Sequence, residues 1–290
     1  MSLANKDGIG QILFRGKKVL EQVQEHVVSA AVDMSVDLVT QLQFTIEDPG
    51  FTILKRGLFD VGTPVTYRGL KLMVSVIETT DGGGMGGLTV SCRPVAVSKL
   101  KNLRTKRVVT NMSPTEFLIS DCTALGLPYV AQPSDKKKQI ARDQPEKGQE
   151  YDNTNHPSAW TTFQRLATDL GYMFYESNGT IYFGKPTWLV ERAPKFQIVW
   201  YASNGKEPLT IPKFRKSDDS KDIELSLDVP LERIGDVYPG YGVTVTDFPY
   251  FAGTYLVKTV TYPLAGPGVV AITASTVRNP KVQKSGEQSE

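Results

Sequence analysis

Short stretches in which apolar and polar residues alternate lie near both ends of the chain, and this alternation is typical of half-buried β-strands. In the first half the stretches cover residues 28–46, 64–67, 71–78 and 88–94. In the second half they cover residues 223–229, 242–245, 255–260 and 269–274. Each half runs through the same order, a strand ending near a proline, a strand marked by glycine, and a long hairpin with a glycine-rich turn. Although identity between the halves is slight, the pattern predicts that residues 28–94 and 211–276 are copies of one antiparallel β-module.

The middle of the chain carries a helical pattern instead. Ser113-Pro114-Thr115-Glu116 forms a capping box with proline at the first helical position, so a helix is expected to begin there. A second helix is predicted from the cap at Ser158 to Gly171, because its apolar residues form a single stripe. Asn178-Gly179 then lies between two aromatic strands and predicts a tight hairpin. Two hydrophilic stretches, Gln132–Asn155 and Lys213–Asp222, are predicted to be surface loops.

Composition narrows the class of protein. The 290 residues include 33 basic and 31 acidic ones, and this balance gives no electrostatic footprint for nucleic acid or an anionic membrane. The N-terminal residues contain no apolar segment of signal-peptide length, and no stretch approaches the ~20 apolar residues of a spanning helix. We therefore expect a protein made in a cytoplasm without a membrane anchor. The two cysteines, Cys92 and Cys122, are expected to be buried free thiols.

Motifs of catalytic or cofactor sites occur only as chance matches. Gly82–Gly87 satisfies G-x-G-x-x-G, but a strand pattern follows it where a dinucleotide site needs a helix. Ser134–Lys137 satisfies S-x-x-K within a hydrophilic stretch that offers no apolar wall to activate a lysine. His26 and His156 are the only histidines, and neither has a ligand-spaced partner for zinc. The sequence thus predicts no catalytic residue, no cofactor and no metal.

The order of these elements resembles the hub proteins of phage tails, a family that spans contractile-tail baseplate hubs, defective-prophage relatives and hubs of long-tailed phages. The helix and hairpin of Pro157–Tyr172, Asn178-Gly179 and Ile181–Gly184 are similar to the middle domain of that family. Tyr238–Val245 and Phe251–Val257 are similar to the strand–loop–strand of its last barrel.

The resemblance implies a β-rich α+β fold with two similar tube-type antiparallel β-barrel modules that flank a small α+β middle domain. The corresponding segments are residues 1–100 for the first barrel module, 101–190 for the middle domain, 191–280 for the second barrel module and 281–290 for a flexible tail. It also implies a homotrimer, a structural adaptor that joins a hexameric tail tube protein to a central spike or tail-tip protein and to other baseplate proteins. Such a protein would act in the virion tail after assembly in the bacterial host cytoplasm.

Turn residues at the hairpin tips are the candidate contacts between subunits, at the seams of the ring that the resemblance implies. They are Gly82, Gly83, Gly84, Met85, Gly86 and Gly87 in the first half, and Gly266, Pro267 and Gly268 in the second. One alternative function is a tail-associated peptidoglycan hydrolase acting from the middle domain, which would require a carboxylate or nucleophile site that the sequence does not offer. Another is a barrel that binds nucleic acid or glycan, which the charge balance disfavours.

Overall fold

The computed structural model describes residues 12–80, 86–134, 137–142, 157–198, 212–216, 222–230, 237–246, 248, 250–264 and 268–277. These residues form two compact units. The β-unit combines the described residues up to Val95 with those from Pro194 to Thr276, and the middle unit is built mainly from Ala96–Ala193.

Strands and helices are numbered along the chain. The strands are β1 (Ile12–Phe14), β2 (Val27–Ser35), β3 (Gln41–Glu47), β4 (Pro64–Tyr67), β5 (Leu70–Thr80), β6 (Gly87–Pro94), β7 (Val108–Met112), β8 (Tyr129–Ala131), β9 (Lys138–Ala141), β10 (Met173–Ser177), β11 (Thr180–Gly184), β12 (Lys195–Ile198), β13 (Lys213–Lys216), β14 (Ile223–Pro230), β15 (Gly242–Val245), β16 (Gly253–Pro263) and β17 (Val269–Thr276). The helices are α1 (Val19–Gln22), α2 (Thr52–Lys55), α3 (Val95–Asn102), α4 (Pro114–Ala124), α5 (Ala159–Leu170) and α6 (Pro186–Arg192).

A single sheet organises the β-unit. Its hydrogen-bonded order is β1-β4-β5-β6-β3-β2-β16-β17-β14-β13, and β15 and β12 branch from β16. Alternation along β3 shows why the strands form, because Leu42, Phe44 and Ile46 are fully buried between exposed or half-buried neighbours. Phe44 packs edge-to-face on Phe14 and Phe59, with ring centroids 5.8 and 5.3 Å away. Each buried aromatic or aliphatic side chain of this kind contributes about 1.5–3 kcal/mol. The predicted β-rich α+β class, with a large antiparallel sheet, is confirmed.

The two halves of the β-unit share one strand order. The order β2-β3-β6-β5-β4 in the first half recurs as β13-β14-β17-β16-β15 in the second, and every pair is antiparallel. Both long hairpins contain a register shift at the same place, between Val74 and Val76 and between Val257 and Thr259. The halves differ at the outer strand, since β1 runs antiparallel to β4 whereas β12 runs parallel to β15.

The middle unit contains the predicted helices and hairpin. In the capping box the Ser113 hydroxyl accepts from the Glu116 amide (3.2 Å), and the Glu116 carboxylate accepts from the Ser113 amide (2.7 Å). Helix α5 begins after Ser158 and ends at Gly171, whose φ of 64° is easiest for glycine. Strands β10 and β11 form the hairpin around Asn178-Gly179, and β8 pairs with β11 in parallel.

Two hydrophilic stretches that were predicted to be loops contain strands. Lys138–Ala141 is β9, which pairs with β7, and the next residue, Arg142, is fully buried. Lys213–Lys216 is β13, the last strand of the sheet. The charged residues in both stretches favour a solvated loop in a reading of the sequence alone, because lysine and arginine side chains are mostly exposed.

Asp48 links the end of β3 to helix α2. Its buried carboxylate accepts hydrogen bonds from the amides of Ile53 (2.8 Å) and Leu54 (2.9 Å) and from the Thr52 hydroxyl (3.2 Å). Its own amide donates to the Gly86 carbonyl (3.1 Å). Burial raises the pKa of Asp48, but the hydrogen bonds to the carboxylate outweigh this effect and hold the pKa below its ordinary value.

The middle unit holds a buried charge cluster. The Asp121 carboxylate accepts from Arg142 Nη2 (2.6 Å) and from Arg107 Nη1 (2.5 Å), and both guanidiniums lie over the Phe117 ring. Burial raises the pKa of Asp121, and the two guanidiniums counteract that rise. Since Arg142 is fully buried, Asp121 is the group that neutralises its charge.

Replacing the Asp48 carboxylate tests its role as a cap. We expect Asp48→Asn to lower the free energy of unfolding at neutral pH by about 1–2 kcal/mol, because an amide cannot accept all three hydrogen bonds. A folded pKa below the unfolded one stabilises the protein above the unfolded pKa, and this contribution is lost as pH falls through the folded pKa. Urea unfolding should therefore show the difference between wild type and variant shrinking in acid. Asp37→Asn, at an exposed position, is the control and should track wild type at every pH.

Removing the charge of Asp121 should be far more costly than removing that of an exposed partner. We expect Asp121→Asn to destabilise the protein by about 3–5 kcal/mol, because Arg142 would be left buried without a counter-charge. The matched control is Asp169→Asn, which breaks a half-exposed contact with Lys138 (3.5 Å) and should cost at most about 1 kcal/mol. Equal unfolding midpoints for the two variants would contradict this account of the cluster.

Candidate subunit interface

The described residues contain no group of three or more metal-ligating side chains. Cys92 and Cys122 are buried free thiols, as predicted, and burial raises the pKa of each to about 12. Among the helices that the structure describes, none has the length and apolar character to cross a bilayer. The candidate functional features of the described residues are the edges of the large sheet, which could pair with another strand.

The two halves of the β-unit join edge to edge through β2 and β16. Five residue pairs form this junction, from Ser35 opposite Thr259 to Ala31 opposite Pro263. Backbone hydrogen bonds continue beyond both ends, from the Val36 amide to the Lys258 carbonyl (3.0 Å) and from the Leu264 amide to the Ala30 carbonyl (2.9 Å). The two halves are therefore held together by continuous strand pairing.

Both faces of this junction are stabilised by side chains. On the core side, Val32 and Met34 of β2 and Val260 and Tyr262 of β16 are buried. The Tyr262 hydroxyl donates to a backbone carbonyl at 3.0 Å, so its polar end is satisfied. On the other face, the Thr261 hydroxyl donates to the Asp33 carboxylate (2.8 Å) across the strands. Cross-strand contacts of this kind are the unit of sheet stability.

The first open edge is β13. Within the described residues it pairs only with β14, so its outer backbone groups face away from the sheet. Phe214 packs against the core of the β-unit, and its ring stacks on Phe251 with centroids 4.6 Å apart. Lys213, Arg215 and Lys216 are exposed, and Arg215 contacts Glu224 of β14 at 3.8 Å. The edge is thus anchored, short and basic.

The second open edge is the latter half of β5. Strand β4 covers β5 only as far as Met73, and the Val74 backbone bonds to Gly62 and Thr63. From Ser75 to Thr80 the strand that the structure describes beside β5 is β6, on one side only. Val76 is 43% exposed although it lies in a strand. Unpaired strand edges are normally covered or otherwise protected in a monomer, so this edge is a candidate contact surface.

These two edges are the counterparts of the two strands that form the internal junction. The shared strand order makes β13 equivalent to β2, and β5 equivalent to β16. The register shifts and the bonds from Gly62 to Val74 (2.8 Å) and from Gly240 to Val257 (2.9 Å) fix the same equivalence residue by residue. Each half therefore has one edge of the β2 and β13 kind and one edge of the β5 and β16 kind. Within the chain, β2 of the first half pairs with β16 of the second, and β13 and the latter half of β5 are left over.

The predicted tip residues lie partly outside the described part of the chain. Gly82–Met85, Gly266 and Pro267 are outside it, whereas Gly86, Gly87 and Gly268 are within it. Gly86 has φ 78°, and a Cβ there would lie 3.0 Å from the Asp48 carbonyl. A Cβ on Gly87 would lie 2.5 Å from the Thr80 hydroxyl at the end of the open β5 edge. Gly86 and Gly87 are thus required by close packing of the hairpin, and their role in subunit contact stays a prediction.

Sequence reasoning missed the β13 edge. The signal was the alternation of Phe214 with charged residues, but four residues are too few to distinguish a strand from a charged loop. The open half of β5 was predicted as a strand, yet which strand would lie beside it depends on pairing across the whole sheet.

Comparison with known proteins gives similarity at the level of structure. No protein-family model matches the chain, and no curated protein matches it. A tail protein of Neisseria meningitidis MC58 is 11% identical with a TM-score of 0.56, over 87% of this chain and 92% of that one. The 43 kDa tail protein of prophage MuSo2 from Shewanella oneidensis is 10% identical with a TM-score of 0.56, over 86% of this chain and 94% of that one.

A third similar structure comes from a secretion system. This Escherichia coli protein is a component of the type VI secretion system and is described as structurally similar to the T4 phage tail proteins gp27 and gp5. It is 11% identical with a TM-score of 0.55, over 88% of this chain and 76% of that one. Over most of its length, the chain therefore has the fold of phage tail proteins and of a type VI secretion component.

Proposed function

We propose that this protein is a structural hub of a phage tail or a related injection machine. In this proposal three chains form a ring, and each chain contributes two similar tube-type barrel modules. The ring then presents six modules to a hexameric tail tube on one side. On the other side it holds a central spike or tail-tip protein, with other baseplate proteins around it. The protein acts in the tail of the virion after assembly in the host cytoplasm.

The observation that carries this proposal is the repeated strand order within one continuous sheet. The two equivalent modules of the chain join through β2 of one and β16 of the other, so the counterparts of these strands, β13 and β5, each keep an unused edge. Such edges favour head-to-tail contacts between copies, and these contacts produce a closed ring when the rotation between copies allows closure. Three copies give six near-equivalent modules, which matches a sixfold tube without a symmetry mismatch at each contact.

The shared fold supports the same conclusion. Tail proteins with this fold are matched over nearly their whole length, so the comparison includes both halves of the β-unit and the middle unit. We propose that each half of the sheet curves into a tube-type barrel. The segments 1–100, 101–190 and 191–280 remain our proposed division into first barrel module, middle domain and second barrel module, with 281–290 as a tail.

The described residues favour a structural role over hydrolysis by the middle unit. Its two buried carboxylates serve internal contacts, because Asp121 binds two guanidiniums and Glu176 accepts from the Gly179 amide at 2.6 Å. A glycoside hydrolase needs a pair of carboxylates that flank the scissile bond. We therefore propose a non-enzymatic adaptor.

The ring can be tested with the purified full-length protein and its tail tube protein. We expect the complex to contain three hub chains of 32.0 kDa for each hexameric ring of tube protein. Native mass spectrometry gives the copy numbers, and electron microscopy of the complex gives the symmetry. A ring of six hub chains, or hub protein that remains monomeric and does not bind the tube, would contradict the proposal.

The glycine-rich tip provides a second test. We expect deletion of Gly82–Gly84 to weaken assembly and to leave the unfolding temperature of the monomer unchanged, since this deletion spares Gly86 and Gly87 and their close packing. Replacing the same three glycines with serine keeps the loop length and serves as the control. If the deletion variant assembles with wild-type affinity, the tip is not a subunit contact.

A further inference from the structure

We propose that β13 of one chain pairs with the latter half of β5 of a second copy, antiparallel and in a single register. The register places Lys216 opposite Ile77, Arg215 opposite Glu78, Phe214 opposite Thr79 and Lys213 opposite Thr80. This inference rests on the proposed function only in requiring a second copy of the chain. It adds which strands meet, in which direction, and which side chains face each other.

The register follows from the internal junction. There, Thr261 lies opposite Asp33 and Tyr262 lies opposite Val32. The register shift in the first long hairpin ends at Val76, and the shift in the second ends at Thr259. Glu78 and Thr261 each lie two residues after that point, so they are counterparts.

Leu42 of β3 and Leu225 of β14 are equivalent, because they lie opposite Cys92 and Ala274, which in turn lie opposite the equivalent residues Val74 and Val257. The preceding residues, Gln41 and Glu224, are then equivalent too. Asp33 lies opposite Gln41 and Arg215 lies opposite Glu224, so Arg215 is the counterpart of Asp33. The same geometry applied between chains brings Arg215 to Glu78.

The pair Arg215–Glu78 occupies a position where side chains approach closely. At the internal junction, Leu264 and Ala30 are directly opposite each other and hydrogen-bonded through the backbone (2.9 Å). Hydrogen-bonded and non-hydrogen-bonded pairs alternate along antiparallel strands, so Thr261 and Asp33 form a non-hydrogen-bonded pair. In such pairs the Cα atoms are only ~4.5 Å apart. The 2.8 Å bond between the Thr261 and Asp33 side chains agrees with this spacing.

Charge at the two edges is complementary in this register. At the internal junction, Thr261 faces the carboxylate of Asp33. At the equivalent position between chains, the exposed Arg215 would face the exposed Glu78. Arg215 already contacts Glu224, but both side chains are largely exposed (78% and 58%), so this contact alone is weak. Across the new junction the guanidinium of Arg215 would lie between two carboxylates, those of Glu224 and Glu78.

The same charges exclude pairing of like edges. Two β13 strands side by side would bring Lys213, Arg215 and Lys216 against their own copies, and like charges opposite each other destabilise a sheet. Pairing of β13 with β5 instead forms about four backbone hydrogen bonds through the pairs that contain Phe214 and Lys216. The edges therefore select a head-to-tail contact, the kind that can close a ring.

Cysteine cross-linking tests the register directly. In Glu78→Cys/Arg215→Cys, the two cysteines would face each other across a non-hydrogen-bonded pair, within the 4.4–6.8 Å Cα separation of a disulfide. We expect oxidation to link full-length chains into dimers and trimers with no larger products. The off-register control, Glu78→Cys/Lys213→Cys, should cross-link at least about tenfold less, because a diagonal shift adds several Å. The native Cys92 and Cys122 are buried and should not interfere.

Charge exchange gives a second readout that needs no oxidation. We expect Glu78→Arg and Arg215→Glu each to raise the dissociation constant for self-association about 3- to 30-fold, and the double variant to return within about threefold of wild type. Glu191→Arg, on the exposed face of α6, and Lys71→Glu, on the half of β5 covered by β4, are the controls for added charge. Both should associate like wild type.

The outcomes separate this inference from the proposed function. Wild-type trimers without cross-linking at Glu78 and Arg215, or without rescue in the double variant, would overturn the register and leave the ring intact. Cross-linked ladders that extend beyond three chains would support the strand pairing and overturn the ring of three. Wild-type protein that stays monomeric with its tube partner, together with no cross-linking, would overturn both.

Discussion

The pairing of β2 with β16 is the interaction on which the rest of the β-unit depends. It converts two separate β-modules into one sheet with a shared core, because Val32 and Met34 are buried together with Val260 and Tyr262. Its direction also fixes which edges remain open. Since β2 and β16 are used internally, their counterparts, β13 and the latter half of β5, each keep one open side within the described residues. These two edges are the surface that we propose for contact with a second copy.

Prediction from sequence succeeded where the signal was local. The capping box at Ser113 and the Asn178-Gly179 hairpin each depend on neighbouring residues, and the structure has both. It failed for β9 and β13, because each strand has only four residues, most of them polar or charged, and is stabilised by pairing with a distant strand and not by its own pattern. The candidate interface has the same limitation. Glu78 and Arg215 can be proposed as partners only after the two equivalences across the sheet, of Glu78 with Thr261 and of Arg215 with Asp33, are known.

Buried charge has different uses in the two units. Asp48 orders the connection between β3 and α2, and its amide bonds to the Gly86 carbonyl at the base of the glycine-rich hairpin. Asp121 instead neutralises Arg142 inside the middle unit. Neither carboxylate needs a substrate to explain its burial. Both hold loops and helices in place by charged hydrogen bonds, which is consistent with the structural role that we propose.

The covalent link between the two modules also changes the thermodynamics of assembly. A ring of six separate modules would lose the translational and rotational freedom of six bodies, at a cost of about 4–15 kcal/mol for each association step. In the proposed ring of three chains, the β2–β16 junction would form when each chain folds, so half of the six junctions would exist before any two chains meet. The remaining junctions could then be short, and the four proposed residue pairs of β13 and β5 could suffice where a lone edge strand would dissociate.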